Sequence, residues 1–352
     1  MNRPALVRAI AITAFALCCC VVVLGAYVRL SNAGLGCPDW PGCYGHLTPA
    51  AAASDAHPLS TALAGRALNI GKAWREMVHR YAAGTLALLI MCLALLSVRW
   101  RRERILAPGY AAALVAIVIF QAVLGALTVT RQLKPLIVTS HLLFGFTTLC
   151  LLWWVVLTLQ WRARPAALDG AGASTVALAA STAALGGARR FALLGLGIVA
   201  LQIALGGWTS SNYAAIACPD FPTCQASWWP NADFRSAYVL WRDQDIDYEG
   251  GVLGNAARVA IHLTHRAGAL VTTLGLLLAA GAALRLRNEP RVRAAGAAVL
   301  VALALQLSLG ISMVLQGFPL WLATAHNAGA ALLLLATLGL CRSLWPVPAT
   351  DR

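Results

Sequence analysis

Four histidines in this chain have the type and the spacing needed to bind a metal-containing cofactor. His79, His141, His265 and His326 each stand near the start of a long apolar run, and they form two pairs. The members of the first pair are 62 residues apart, and those of the second pair are 61 apart. Neutral imidazole is a common axial ligand of heme iron. Two histidines at one depth on neighbouring helices can hold a porphyrin between them, so the sequence predicts two such sites.

The apolar runs that carry these histidines are long enough to cross a membrane. Hydrophobic residues make up 60% of the 352 residues and charged residues only 11%, with a mean hydropathy of +0.72, which excludes a water-soluble domain. Eight runs reach the roughly 20 residues that a helix needs to span the hydrocarbon core. We predict helices because backbone groups in lipid must pair within their own segment. The predicted spans are 9–29, 74–98, 108–130, 136–160, 190–211, 257–284, 293–315 and 320–344.

The distribution of charge predicts the orientation of the helices. A net charge of +14 in a soluble protein would indicate a nucleic-acid partner, but here the arginines flank alternate ends of the spans, which is the positive-inside pattern. We therefore expect no nucleic acid, both termini in the cytoplasm, and acidic loops on the outer face. We interpret the first apolar run as a helix and not as a removed signal, and the lack of a transit peptide favours a bacterial inner membrane.

An internal repeat relates residues 190–344 to residues 9–160. The strings Val78-His79-Arg80 and Thr264-His265-Arg266 come into register, as do two Cys-Pro-Asp-x-Pro-x-Cys loops, and a Gln-x-x-Leu-Gly string recurs at Gln121, Gln202 and Gln306. Each unit has an even number of helices, so the repeat is parallel. We predict an all-α integral membrane protein with eight transmembrane helices in two pseudo-symmetric four-helix bundles. The predicted divisions are an N-terminal half at 1–164, a cytoplasmic linker at 165–189 and a C-terminal half at 190–352.

The repeat is broken at one residue beside the first histidine. Glu76 lies three residues before His79, on the same helical face, whereas His262 stands at the equivalent place before His265. A carboxylate beside a cofactor in a low-dielectric site can take a proton, stabilise a developing cation or orient water. The alternative is an interfacial acid paired with Arg75 or Arg80. The asymmetry makes the N-terminal half the candidate for chemistry and the C-terminal half the candidate for electron transfer.

Two arginines follow the histidines of the second and sixth spans directly. Arg80 and Arg266 each point about 100° away from the histidine before them, toward the outer interface. There they can bind the carboxylates of a heme, or they can extend to lipid headgroups. Both readings remain open from the sequence.

The paired cysteines lie in the loops predicted to face the oxidising side. Their repeated spacing favours disulfides between Cys37 and Cys43 and between Cys218 and Cys224. Such short rings would stiffen loops over the sites. A zinc site is disfavoured, since His46 and His57 have no counterparts in the second half, and a redox role for the first pair is left open. We expect Trp40, Trp208, Trp228, Trp229 and Trp321 to form an interfacial belt.

These motifs resemble the heme A synthase family over nearly the whole chain. The resemblance is carried by Glu76-Met77-Val78-His79-Arg80, by the paired cysteine loops and by the four histidines on even-numbered helices. It implies an oxidoreductase that converts the C8 methyl group of heme O to the formyl group of heme A for cytochrome oxidase. It further implies that His79 and His141 are the iron ligands of the heme O substrate, that His265 and His326 ligate a heme b cofactor, and that Glu76 is catalytic.

The resemblance also implies partners. These are a heme O synthase that donates the substrate, the cytochrome oxidase assembly machinery, an unidentified electron acceptor and membrane lipids, and a homo-oligomer is left open. Two alternatives come from other functional classes. A di-heme cytochrome that transfers electrons from quinol fits bis-histidine ligation equally well, but it has no need of a carboxylate in one half only. A transporter fits a parallel repeat, but it predicts matched Gly or Pro interruptions at mid-membrane, which the spans lack.

Overall fold

Eight long helices dominate the computed structural model, which describes residues 2–54, 68–103, 105–162, 175–242 and 246–345. All eight are long and apolar enough to cross a membrane. This confirms the prediction of an all-α protein with eight membrane-spanning helices. They are α1 (Arg3–Leu30), α2 (Ile70–Arg99), α3 (Pro108–Thr130), α4 (Pro135–Arg162), α5 (Thr175–Ser211), α6 (Asn255–Leu284), α7 (Pro290–Leu315) and α8 (Leu320–Ser343).

The start of α5 differs from the sequence prediction. We expected this span to begin at residue 190, after a linker at 165–189, but the helix already begins at Thr175. The segment from Thr175 to Arg190 is rich in alanine, which has the highest helix propensity of all residues, and this outweighs its two glycines. The second part of the predicted linker is therefore helical. Its first part, residues 165–174, lies outside the described residues.

Each half of the chain forms a closed ring of four helices. In the first half, α1 contacts α2, α2 contacts α3, α3 contacts α4, and α4 contacts α1. In the second half α5, α6, α7 and α8 contact one another in the same cyclic order. Helices α2 and α4 thus stand diagonally across the first ring, and α6 and α8 across the second. The division into two repeated domains remains a prediction, with which this arrangement is consistent.

The two rings pack against each other through their first and last helices. Helix α1 contacts α8, α4 contacts α5, and α4 also contacts α8. One apolar cluster runs through both rings and includes Leu93 and Leu149 of the first half and Leu276 and Leu340 of the second, all of them fully buried. This shared core fixes the position of one ring against the other.

The segment between α5 and α6 reaches back over the first half. Lys134, which precedes α4, donates through Nζ to the carbonyl of Arg242 at 2.7 Å, and the backbone N–H of Tyr248 donates to the carbonyl of Gln132 at 3.2 Å. The side chain of Lys72 on α2 pairs with Glu249 at 3.4 Å. The ends of α2, α3 and α4 on this side are therefore held by a loop of the second half.

The predicted tryptophan belt needs one correction. Trp229 is 93% exposed, and Trp228, Trp40 and Trp321 are also exposed, as an interfacial belt requires. Trp208 is buried instead, and its indole N–H donates to the carbonyl of Ala237 at 3.0 Å, in a one-turn helix at Phe234–Ala237. The buried indole packs this part of the loop against the end of α5, so Trp208 has a structural role.

Candidate heme-binding sites

Each of the four predicted histidine ligands packs against a glycine of the helix before it. A Cβ atom added at Gly25 of α1 would lie 2.9 Å from Cε1 of His79, and one at Gly310 of α7 would lie 2.9 Å from Cε1 of His326. The corresponding distances are 3.5 Å from Gly125 to His141 and 3.2 Å from Gly206 to His265. Because these residues are glycines, the imidazoles fit between the helices. A larger side chain at any of these positions would displace the imidazole beside it.

The histidines of each predicted pair lie on helices that stand diagonally across one ring. His79 is on α2 and His141 on α4 of the first ring, and His265 is on α6 and His326 on α8 of the second. In the second ring both histidines line one cavity. A porphyrin with two axial histidines requires ligands from opposite sides, so this placement is consistent with the pairing, which remains a prediction.

The glutamines of the repeated string lie beside the histidines. Gln121 Nε2 donates to the carbonyl of His141 at 3.0 Å, and Gln202 Nε2 contacts both the carbonyl and Nδ1 of His265 at 3.0 and 3.1 Å. Gln306 Nε2 lies 3.2 Å from Nε2 of His326. The glutamines thus make hydrogen bonds between neighbouring helices. In α1 the equivalent place, four residues before Gly25, is held by Val21, which has no side-chain amide.

Residues of the second ring, together with a few from α1 and α4, line a cavity of about 810 Å³ that suits a heme. Its size is within the range of cofactor and ligand pockets. Leucine, isoleucine, valine and phenylalanine side chains make up much of the lining, as an apolar macrocycle needs. The polar residues that line it include both histidines of the second pair and two glutamines, namely His265, His326, Gln202 and Gln306. Nδ1 of His326 is buried without a hydrogen-bond partner among the described residues, so the donor set fits axial ligation.

Glu76 lies one helical turn before His79 and is almost completely buried. Its exposed fraction is 4%. Oε1 accepts a hydrogen bond from Nη2 of Arg80, and Oε2 accepts one from the backbone N–H of Cys37 at 2.9 Å. The interfacial alternative was therefore right about the ion pair with Arg80. The carboxylate is nevertheless held inside the protein, because the cysteine loop covers it.

Arg80 and Arg266 bind the two cysteine loops in the same manner. Nη1 of Arg80 donates to the carbonyls of Asp39 at 2.9 Å and Gly42 at 2.5 Å. Arg266 donates to the carbonyl of Asp220 at 2.6 Å, and through Nε to Nε2 of His262 at 3.3 Å. Each arginine thus ties a loop to the helix that carries a histidine ligand, a role that the sequence analysis missed. Their predicted contact with heme carboxylates remains a prediction.

The cysteine loops contain the two disulfides that the spacing favoured. Cys37 is bonded to Cys43 and Cys218 to Cys224, and all four residues are buried. In each loop the second cysteine exchanges backbone hydrogen bonds with the residue three positions later, His46 or Ser227. Ser227 thus makes the same backbone hydrogen bonds as His46, but the second loop has no histidine at this position. His57 lies outside the described residues.

An aspartate fixes the turn of each loop. Asp220 accepts hydrogen bonds from the Thr223 hydroxyl and from the backbone N–H groups of Gln225 and Ala226. Asp39 accepts from the backbone N–H groups of Tyr44 and Gly45 in the other loop. The hydrogen bond from Thr223, followed by those from the backbone, lowers the pKa of Asp220 below its ordinary value. The aspartate of the Cys-Pro-Asp motif is therefore a structural residue of the loop.

The sequence is similar to those of known proteins. The family model COX15-CtaA, described as cytochrome oxidase assembly protein, matches residues 8–338. The chain belongs to the COX15-CtaA family. Within it, the chain is 40% identical to the heme A synthase of Shewanella oneidensis over 325 residues, which are 92% of each protein. It is 27% identical to the heme A synthase of Shouchella clausii over 73% of this chain and 69% of that protein. It is 24% identical to the heme A synthase of Bacillus licheniformis over 87% of this chain and 85% of that protein.

The sequence of this COX15-CtaA protein predicted both disulfides from the spacing of the cysteines. The roles of the four histidines and of Glu76 remain predictions. The glycines that face the imidazoles were visible only as part of a repeated Leu-Gly string, with no sign that they contact histidine. Arg29 at the end of α1 was missed, because its contacts lie across the interface between the two rings.

Proposed function

We propose that this chain is a heme A synthase that oxidises the C8 methyl group of heme O to a formyl group. One observation carries the proposal: two rings present equivalent histidine pairs, but only the first has a buried carboxylate one turn before a histidine. A protein that only relays electrons has no need of that difference. Membership of the COX15-CtaA family and the names of the relatives support the same function.

In this proposal the first ring is the substrate site. His79 and His141 hold heme O, and Glu76 lies beside the reacting methyl group. Conversion of a methyl group to a formyl group by two hydroxylations and loss of water takes its oxygen from water and releases four electrons and four protons. The oxidant must therefore be an external electron acceptor, which the sequence and the structure leave unidentified.

Glu76 is suited to assist these steps because its carboxylate is held in place and still has lone-pair positions that can accept hydrogen bonds. A carboxylate offers about four lone-pair positions. Arg80 and the N–H of Cys37 use two of them, the N–H of Gly36 also lies close, and a remaining position can accept from a water molecule or take a proton released from the substrate. Its negative charge stabilises positive charge on the substrate as electrons leave, and the carboxylate then accepts a proton as water adds.

The second ring holds the resident cofactor in this proposal. His265 and His326 would bind heme b, which supplies reversible one-electron transfer. His262 replaces the carboxylate at the position of Glu76, and its Nε2 accepts a hydrogen bond from Arg266. A neutral imidazole there supplies no negative charge, so this site lacks the group that would favour oxidation of its own porphyrin.

We place the protein in a bacterial inner membrane with both termini in the cytoplasm and both heme sites toward the periplasmic side. The arginine distribution supports this orientation, and the disulfides suit an oxidising outer face. A heme O synthase would supply the substrate, and the assembly of cytochrome oxidase would consume the product.

The replacement of Glu76 by glutamine tests the proposal, with His262→Gln as the matched control in the second ring. Glutamine keeps the shape and the acceptor oxygen but removes the charge. We expect Glu76→Gln to bind heme yet to stop conversion, so that extracted pigments contain heme O and heme B without heme A, while His262→Gln continues to form heme A. Unchanged heme A from Glu76→Gln would overturn the assignment. Wild-type protein that yields heme B alone would instead support an electron-transfer cytochrome.

A further inference from the structure

Two arginines line the cavity of the second ring, and their guanidinium groups have different hydrogen-bond partners. Arg266 uses all three of its nitrogens within the protein: Nε contacts His262, and both Nη atoms donate to carbonyls of the cysteine loop. Arg29 belongs to α1 of the first ring and crosses the interface between the rings. Its Nη2 donates to the carbonyl of Ser210 at 2.7 Å, near the end of α5.

The environment of Arg29 holds its guanidinium in one position. The group lies over the ring of Tyr213, 4.1 Å from the centroid, and the Tyr213 hydroxyl donates to Oδ1 of Asn32 at 3.1 Å. Arg29, Tyr213 and Asn32 all line the cavity. A guanidinium that is stacked and bonded in this way loses little further freedom when it binds a ligand.

Arg29 also has an unused donor. Its Nε is buried and has no hydrogen-bond partner among the described residues. An unpaired buried donor is costly, and that cost is removed when a carboxylate accepts from it. A porphyrin between His265 and His326 carries two such carboxylates on its propionate side chains. A planar guanidinium binds a carboxylate with two parallel hydrogen bonds, which favours Nε together with one Nη as donors.

We propose that Arg29 binds a propionate carboxylate of the heme held by the second ring. The proposal rests on the proposed function, since it takes the second ring as the site of a resident heme b. The sequence suggested Arg266 as a partner of a heme carboxylate, but the nitrogens of Arg266 are hydrogen-bonded to His262 and the cysteine loop. We therefore assign one such carboxylate contact to Arg29. The second ring then depends on the first for a complete cofactor site, because the cation that neutralises the propionate comes from α1.

Heme binding to wild-type protein and to Arg29→Gln tests this inference, with Arg235→Gln as the control. Arg235 is an exposed arginine in the one-turn helix of the outer loop, so its replacement changes the net charge equally and lies away from the cavity. Both variants and the wild type are produced in a heme-deficient host and titrated with heme b. We expect Arg29→Gln to bind heme b about tenfold to a hundredfold more weakly, and Arg235→Gln to bind it as the wild type does.

A second probe removes the propionate charge without any mutation. Heme b dimethyl ester lacks the carboxylates, so it should bind wild-type protein at least about tenfold more weakly than heme b. In Arg29→Gln the difference between heme b and its ester should be much smaller, because the partner is already missing. The midpoint potential gives an independent measurement. Loss of a cation beside the heme favours the more positive oxidised state, so Arg29→Gln should have a lower potential than Arg235→Gln.

The outcomes separate this inference from the proposed function. If wild-type protein binds no heme b, the proposed function fails. If wild-type protein binds heme b and its ester equally, or if Arg29→Gln keeps wild-type affinity and potential, only the assignment of Arg29 is overturned. Equal binding of heme b and its ester by the wild type overturns the assignment even if Arg29→Gln does not fold. Equal binding of heme b and its ester together with loss of a bound phospholipid in Arg29→Gln would assign the arginine to a lipid phosphate instead.

Discussion

Replacement of Gly25 by alanine is expected to weaken heme binding in the first ring through a displacement of His79. The added Cβ would lie 2.9 Å from Cε1 of the imidazole, whereas carbon atoms in favourable contact are about 3.5 to 4.0 Å apart. The ring must therefore move by roughly half an ångström or more, or α1 and α2 must separate. Gly125→Ala is the matched control, because its Cβ would lie 3.5 Å from Cε1 of His141.

The size of the effect follows from the cost of overpacking. A methyl group forced into a filled space costs about 1 to 3 kcal/mol. If that cost falls on the ligand-bound geometry, heme affinity drops by roughly fivefold to 150-fold. Gly125→Ala meets only ordinary van der Waals contact, so its effect should be small. Gly84→Ala on α2 adds its Cβ to open space and controls for the higher helix propensity of alanine.

The assay is the amount of heme O or heme A extracted per purified protein, together with the absorption spectrum. We expect Gly25→Ala to lose this pigment while it keeps heme B in the second ring. Gly125→Ala and Gly84→Ala should retain both pigments. Equal retention by Gly25→Ala and Gly125→Ala would refute the claim that the glycine sets the position of His79.

Two further predictions concern the outer loop of the second ring. In Asp220→Asn the turn loses its charged acceptor, so the backbone amides of Gln225 and Ala226 should exchange hydrogen faster at neutral pH. Because the pKa of Asp220 is lowered in the folded protein, its contribution is present above about pH 4 and disappears as the pH falls further, and in acid the wild type should exchange as the variant does. Identical exchange rates at pH 7 would contradict this role. Replacement of both Cys218 and Cys224 by serine should lower the free energy of unfolding by about 2 kcal/mol in the chain-entropy model. Denaturant titration in detergent measures this change. An unchanged free energy of unfolding would count against the structural role of the loop.

Hydropathy predicted the eight spans because a membrane helix depends on a local run of apolar residues. A run of about 20 apolar residues has few alternatives to a membrane helix. The same reasoning misplaced the start of α5, since the segment from Thr175 was judged by its glycines, while its alanines favour helix. Trp208 was misassigned for a related reason. Its sequence position near a helix end is typical of an interfacial residue, but a distant loop covers it.

The supports of the sites could not be predicted because they are made by contacts between distant parts of the chain. Arg80 stands beside His79 in the sequence, yet its partners are carbonyls of a loop that precedes it by about 40 residues. Arg29 and Ser210 are 181 residues apart and belong to different rings. A sequence pattern identifies such arginines as unusual inside an apolar run, but only the packing of the helices determines which groups they meet.

We propose that a pair of histidines in each ring holds one porphyrin. The most direct measurement is the pigment content of the wild type and of the double variant His265→Ala/His326→Ala, both purified from cells with ample heme supply. We expect heme B together with heme O or heme A in the wild type, and loss of heme B alone in the double variant. A colourless wild-type protein, or a double variant that keeps the full absorption spectrum and all of its heme B, would contradict it.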